Sequence, residues 1–190
     1  RVKDADIPIY IIAGSHDFSP SGKTMLDVLE HAGLAVNVAK GEEMPDNRIK
    51  LHFTIDKKTG AKIVGILGRK GGLEKSHYYE LSKHELEIED GFKIFMFHSG
   101  IEEYKPKHLE QMEAIPLSWF PKNFNYYAAG HIHSVFSRHE QGYGMIAFPG
   151  PLFPNSFDEL ERLGSGGFYI VEANGEEIII NHAKLPIYSV

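Results

Sequence analysis

Three near-continuous apolar runs constrain this chain more than any other feature: "IPIYIIAG" (7–14), "FKIFMFH" (92–98) and "NYYAAG" (125–130). Each ends where glycine, serine or histidine lets the chain turn. Runs of this length without polar alternation read as strands covered on both faces, which is how parallel sheets are built. Further strands are read at "LAVNVAK", "IKLHFTID" and "AKIVGIL", with "KKTG" turning between the last two. Helical spacing is read over 23–33, with Gly33 just past its end, over 72–84, and over 106–115, where Pro106 stands near the start and needs no N–H partner. The C-terminal third changes to period two in "SVFSRHE", "GMIAFPG", "GGFYIVEA" and "EEIIINHAKL", and Asn174-Gly175 predicts a type I′ hairpin. Mixed α and β followed by hairpins predicts two sheets packed face to face with helices outside.

The 190 residues suit one domain or slightly more, and 42% hydrophobic content supplies a core. No apolar run nears the ~20 residues of a membrane-spanning helix, and no secretory or lipidation motif is read. With no cysteine there is neither disulfide nor thiolate site, so any metal must take nitrogen and oxygen ligands. A net charge of −6 argues against a wholly basic nucleic-acid surface. The chain opens without Met and reaches a strand almost at once, so it is expected to start inside a domain.

Eleven histidines are the unusual feature. Four of them follow apolar runs: His16 beside Asp17 in "AGSHDFS", His98 in "MFHSG", and His131 with His133 in "AGHIHSV". Ligand sites in α/β sheets gather at the carboxyl ends of strands. If the strand continues past Gly130, its period of two aims His131 and His133 the same way, toward metal ions ~3.5–4 Å apart. Taken singly, His98 reads as a hydrogen-bonded structural residue and G-H-x-H as either ligand or structural. The three segments together point to a metal site. His31, His52, His77, His84, His108, His139 and His182 read as ordinary helix, strand or turn histidines.

The ordered set G-S-H-D, a lone His after an apolar strand, then G-H-I-H resembles the calcineurin-like metallophosphoesterases. The text around it, "IPIYIIAGSHDFSPSGKTMLDVLEHAGL", "MFHSGIEEY", "YYAAGHIHSVF", "FPGPLFP" and "GGFYIVE", is similar to the SbcD-like nuclease subunits of double-strand-break repair, especially archaeal forms. The resemblance covers nearly all of the chain. It implies an α/β, two-sheet αββα sandwich and a metal-dependent DNA exo/endonuclease that partners an SMC-like ATPase at DNA ends, in a cytoplasmic, nucleoid-associated setting. It assigns His98 and His131 to one metal, usually manganese, and His133 to the other. His16 becomes the non-ligand imidazole that stabilises charge on the scissile phosphate or protonates the leaving oxygen, and Asp17 holds the His16 ring.

Two departures stand out. The family's Asn ligand is Ser15 here, a weaker donor, so the ion beside His98 and His131 is expected to be held loosely. The family's D-x-H and G-D-x-x-D segments, which precede the first strand quoted, do not occur in these residues. Residues 1–190 are therefore expected to be the C-terminal portion of a nuclease domain, with the N-terminal part, the capping segment and the ATPase-binding segment absent. The same motifs suit a phosphatase or cyclic-nucleotide phosphodiesterase, and the departures suit a catalytically inert dimerisation fragment. In the 23–33 helix, Met25, Val28, Leu29 and Ala32 form one apolar stripe, read either as core packing or as a face shared with a twin subunit. Arg69-Lys70-Gly71-Gly72 reads as a solvated basic turn or a phosphate contact.

Overall fold

A computed structural model describes residues 5–17, 24–69, 72–106 and 109–186. In chain order the elements are β1 (Tyr10–Ile11), α1 (Met25–His31), β2 (Val36–Asn37), β3 (Gly41–Glu43), β4 (Ile49–Leu51), β5 (Thr54–Ile55), β6 (Lys62–Ile66), α2 (Lys75–Tyr79), α3 (His84–Ile88), β7 (Lys93–His98), β8 (Tyr126–Gly130), β9 (Val135–Glu140), β10 (Gly144–Pro149), α4 (Phe157–Leu163), β11 (Gly167–Asn174) and β12 (Glu177–Lys184). Six strands form one sheet in the order β5-β6-β7-β8-β10-β9. Its four inner strands run parallel, and the two edges are antiparallel. The mixed α/β class therefore follows the apolar runs, and the six-strand, mostly parallel sheet is consistent with the metallophosphoesterase-type fold that the resemblance implies.

The pleat of β7 explains how this sheet divides its faces. Phe95 and Phe97 point to one side and are 0% and 1% exposed, while Ile94, Met96 and His98 point to the other and are half-buried. Phe97 meets Phe120 at 4.9 Å and Phe148 at 5.7 Å, both edge-on, the arrangement that ring quadrupoles favour. Tyr78 of α2 stands 5.0 Å from Phe120, and buried Leu86 of α3 joins the same cluster. At the start of β7, buried Lys93 donates to the Leu86 carbonyl at 2.8 Å and the Glu87 carbonyl at 3.2 Å. That ammonium satisfies carbonyls at the C-terminal end of α3, and burial lowers its pKa. The aromatic side of the sheet is the core, and the opposite side carries His98.

Several expectations are corrected. The run at 7–14 contributes only the two-residue β1, which pairs with β2 and is fastened to the end of β6 by Gly68 N–H donating to the Ala13 carbonyl at 2.8 Å. The helix read over 72–84 is α2 alone, and α3 begins at His84. The helix read over 106–115 does not form in its described part. Leu109 and Met112 close i→i+3 turns, and Ile115 is committed instead to a bridge with Ile101, both fully buried. The last hairpin turns at Gly175-Glu176, not Asn174-Gly175: Asn174 still pairs with Glu177, and only Gly175 has positive φ, as in a type II′ turn. Among the described residues three two-stranded sheets stand beside the central one, β1-β2, β3-β4 and β11-β12, the last tied to the end of β10 by Gly167 N–H on the Pro151 carbonyl and by His182 Nε2 at 3.1 Å from the Pro149 oxygen. In α1, Leu26 turns inward while Met25 and Val28 are exposed. Among the described residues no helix is long and apolar enough to cross a membrane.

Candidate active site

His98 ends β7 on the open face of the sheet, and glycines leave the room its ring needs. A Cβ at Gly68 would stand 2.6 Å from His98 Cδ2, one at Gly130 2.8 Å from Nδ1, and one at Gly14 2.9 Å from Cε1. The segments after β1 and β6 and the last residue of β8 thus each lend a residue without a side chain to one imidazole. Gly14 and Gly130 are readable in sequence as turn glycines, but nothing in sequence marks Gly68.

His131 does not continue the strand. Its φ is +79°, and the Ile132 N–H donates to the Gly130 carbonyl at 3.0 Å. A bond from residue i+2 to i around a positive-φ centre is a γ-turn of the rare, strained hand. This corrects the expectation that alternation aims His131 and His133 together. The turn instead brings the His131 ring to 5.1 Å from the His98 ring, buries Ile132, and leaves His133 with its Nδ1 2.6 Å from Glu159 Oε1. His16 is exposed on the loop after β1, and Ser15 is half-buried beside it. The Asp17 carboxylate accepts the Gly14 N–H at 2.7 Å, so its bond goes to the loop backbone in place of the His16 ring. Arg69 is exposed, while Lys70, Gly71 and His108 lie outside the described residues.

The electrostatics keep the inner imidazoles neutral. Burial pushes His98 down to about 4, His131 adds to the shift, His16 and His133 add further, and Asp17 opposes it. Burial also lowers His131, against the pull of the Glu74 carboxylate. A neutral imidazole offers one nitrogen lone pair and donates from the other nitrogen. Two carboxylates here were not anticipated. Glu74 is 5% exposed and accepts the Arg69 N–H at 3.1 Å; its sequence neighbourhood reads only as helix surface. Glu159 sits on α4, whose start is legible as S-F-D-E, a serine cap with glutamate three residues on. Asn155 N–H, followed by His133, holds Glu159 below the ordinary carboxylate range.

This donor set fits the nitrogen side of a centre for a divalent transition metal, because two neutral imidazoles meet edge-on at 5.1 Å and the Glu74 carboxylate acts on one of them. It does not amount to a complete dinuclear centre. Among the described residues no group of three or more His, Asp or Glu side chains is gathered closely enough to hold an ion. A separate groove of about 710 Å³, lined by Ile7, Tyr10, Leu34 and Asp56 among others, contains none of these histidines.

No family model matches the chain. It is similar to the DNA double-strand break repair protein Mre11 of Sulfolobus acidocaldarius, with 30% identity over 192 residues, covering 98% of this chain and 46% of that protein. The protein of the same name from Methanopyrus kandleri is 26% identical, covering 90% of this chain and 39% of its own length. That of Methanococcus maripaludis is 25% identical, covering 98% and 48%. As the order of G-S-H-D, lone His and G-H-I-H led us to expect, the chain is similar over nearly its whole length, and over about half of theirs, to the archaeal Mre11 DNA double-strand break repair proteins.

Proposed function

We propose that this chain is part of a metal-dependent DNA exo/endonuclease that hydrolyses phosphodiester bonds at broken DNA ends and works with an SMC-like ATPase on chromosomal DNA. The observation that carries the reading is the pairing of the His98 and His131 rings at 5.1 Å in a chain so similar to double-strand break repair proteins. In this reading His98 and His131 are the nitrogen ligands of one ion, with Ser15 a weak neighbour, and His133 serves the other. The depressed pKa of His98 supports its role, since only a neutral imidazole has a lone pair to give. Bound divalent ions, manganese in this reading, supply the positive charge that stabilises negative charge developing on the phosphodiester. His16, exposed at the rim, is free to approach the phosphate and protonate the leaving oxygen. The exposed Met25 and Val28 of α1 offer an apolar face for a twin subunit.

The test is manganese-dependent degradation of linear duplex DNA by the full-length parent, with p-nitrophenyl phosphate as the comparison. DNA degradation that disappears with His131→Ala is expected. Hydrolysis of the small ester with intact DNA would replace the nuclease by a phosphatase of the same superfamily. A second reading, that the 190 residues alone are inert, is favoured by the absence of a three-ligand group among the described residues. It predicts no turnover by the isolated chain.

A further inference from the structure

We propose that Glu159 and Arg162 of α4 are positioning residues for His133, fixing which ring nitrogen carries the proton and where the other one points. In a serine-capped helix start of the S-x-x-E type, the glutamate ordinarily reaches back to the N–H of the capping residue. Here the Ser156 hydroxyl accepts the Glu159 N–H at 3.2 Å, as expected of the cap. The Glu159 side chain does otherwise. Its Oε2 accepts the N–H of Asn155, one residue before the cap, at 2.9 Å, and its Oε1 lies 2.6 Å from His133 Nδ1. One turn along, Arg162 Nη1 donates to the His133 carbonyl at 3.0 Å and to the Ser134 hydroxyl at 3.2 Å. The same helix therefore holds both the ring and the backbone of one histidine that lies 26 residues from Glu159 in sequence.

The chemistry fixes the proton. An ionised carboxylate can only accept, so His133 Nδ1 must donate, and the lone pair of a neutral ring is left on Nε2. Glu159 is the shielded partner, its side chain 13% exposed against 41% for His133, so the carboxylate is the anchored end and the imidazole the oriented one. A carboxylate behind a histidine fixes its tautomer and the orientation of its ring. The functional consequence depends on the nuclease reading, in which the lone pair on His133 Nε2 is offered to the second ion. The assignment of proton and orientation does not.

The decisive measurement is the long-range 1H–15N correlation of the ring nitrogens in the natural chain at pH 8, without metal or DNA. His133 among the eleven histidines is assigned by its loss in His133→Gln. The natural chain is expected to show His133 protonated at Nδ1 and unprotonated at Nε2. Glu159→Asp, which withdraws the carboxylate by one methylene, should release the ring to the Nε2–H form, and Glu159→Ala should do so fully. Glu159→Gln keeps a carbonyl acceptor and should restore Nδ1–H. An Nε2–H ring in the natural chain would overturn the proposal outright, whether or not any variant folds. So would an unchanged Nδ1–H ring in a Glu159→Ala chain whose backbone spectrum is intact. In the full-length parent, Glu159→Ala should weaken manganese binding about 10–100-fold. Failure of that arm alone, with the tautomer as expected, would count against the nuclease reading and not against the clamp.

Discussion

Gly68→Ala tests the glycine cradle around His98. The added Cβ would stand 2.6 Å from His98 Cδ2, 3.0 Å from Cγ and 3.1 Å from Cβ, where ordinary contact begins near 3.4 Å. Turning the ring relieves only Cδ2, because Cγ and Cβ hardly move when the ring flips. Sideways escape is blocked by the Gly14 and Gly130 segments, which already lie against Cε1 and Nδ1. Moving the backbone of residue 68 strains its 2.8 Å bond to the Ala13 carbonyl. Overpacking of this kind costs about 1–3 kcal/mol. Gly68 is outside the left-handed region, so alanine regains about 0.4–1 kcal/mol through the unfolded chain. Taking the middle of each range, the net expectation is a loss of about 1.3 kcal/mol, or roughly 3–5 °C in Tm for a chain of this size. Urea and thermal unfolding of Gly68→Ala, His98→Ala and the double variant would measure it. In the His98→Ala background the Gly68→Ala cost should fall by about 1 kcal/mol or more, as groups in contact couple. An equal cost in both backgrounds would refute the cradle, and so would a Gly68→Ala chain as stable as the natural one.

The γ-turn at His131 makes a second prediction: His131→Gly should unfold at higher denaturant than His131→Ala by about 1–2 kcal/mol, the cost of a Cβ at positive φ; equal stabilities would show that the turn relaxes. Third, Asp56 is drawn down to about 2, first by the Thr59 hydroxyl and then by the Tyr10 hydroxyl. A depressed carboxylate stabilises the fold above its ordinary pKa of 3.8 and loses that contribution as pH falls toward 2, so Asp56→Asn should flatten unfolding curves across that window. An unchanged acid limb would remove Asp56 from the account. Fourth, His16→Ala in the full-length parent should lower DNA cleavage by about 10²–10⁴ while leaving manganese binding in place, as loss of an acid but not a ligand; calorimetry showing lost metal binding would reassign His16.

The sequence by itself determined the parallel core and the neighbourhood of the site. Strands β6, β7 and β8 are legible because a sheet buried on one face and half-buried on the other leaves nearly unbroken apolar runs, a signal carried within each segment, and β10 is legible as alternation. His98 and His131 are legible because both follow such runs, and strands laid side by side in one direction bring their ends together. What only the tertiary structure decided has no local signature. The turn at His131 reverses an expected extension because Ile132 is buried next to it, and alternation read from G-H-I-H cannot register that. Helix 106–115 gave way because Ile115 finds its backbone partners at Gly100 and Glu102, and a fully buried bridge outweighs helical spacing in one exposed segment. Gly68 reads as any glycine until the ring of His98, thirty residues on, is set against it. The start of α4 was written in Ser156 and Glu159, yet the use of Glu159 as the partner of His133 was not. Capping motifs report bonds within one helical turn, whereas this hydrogen bond exists only because folding carries α4 back across the end of β8.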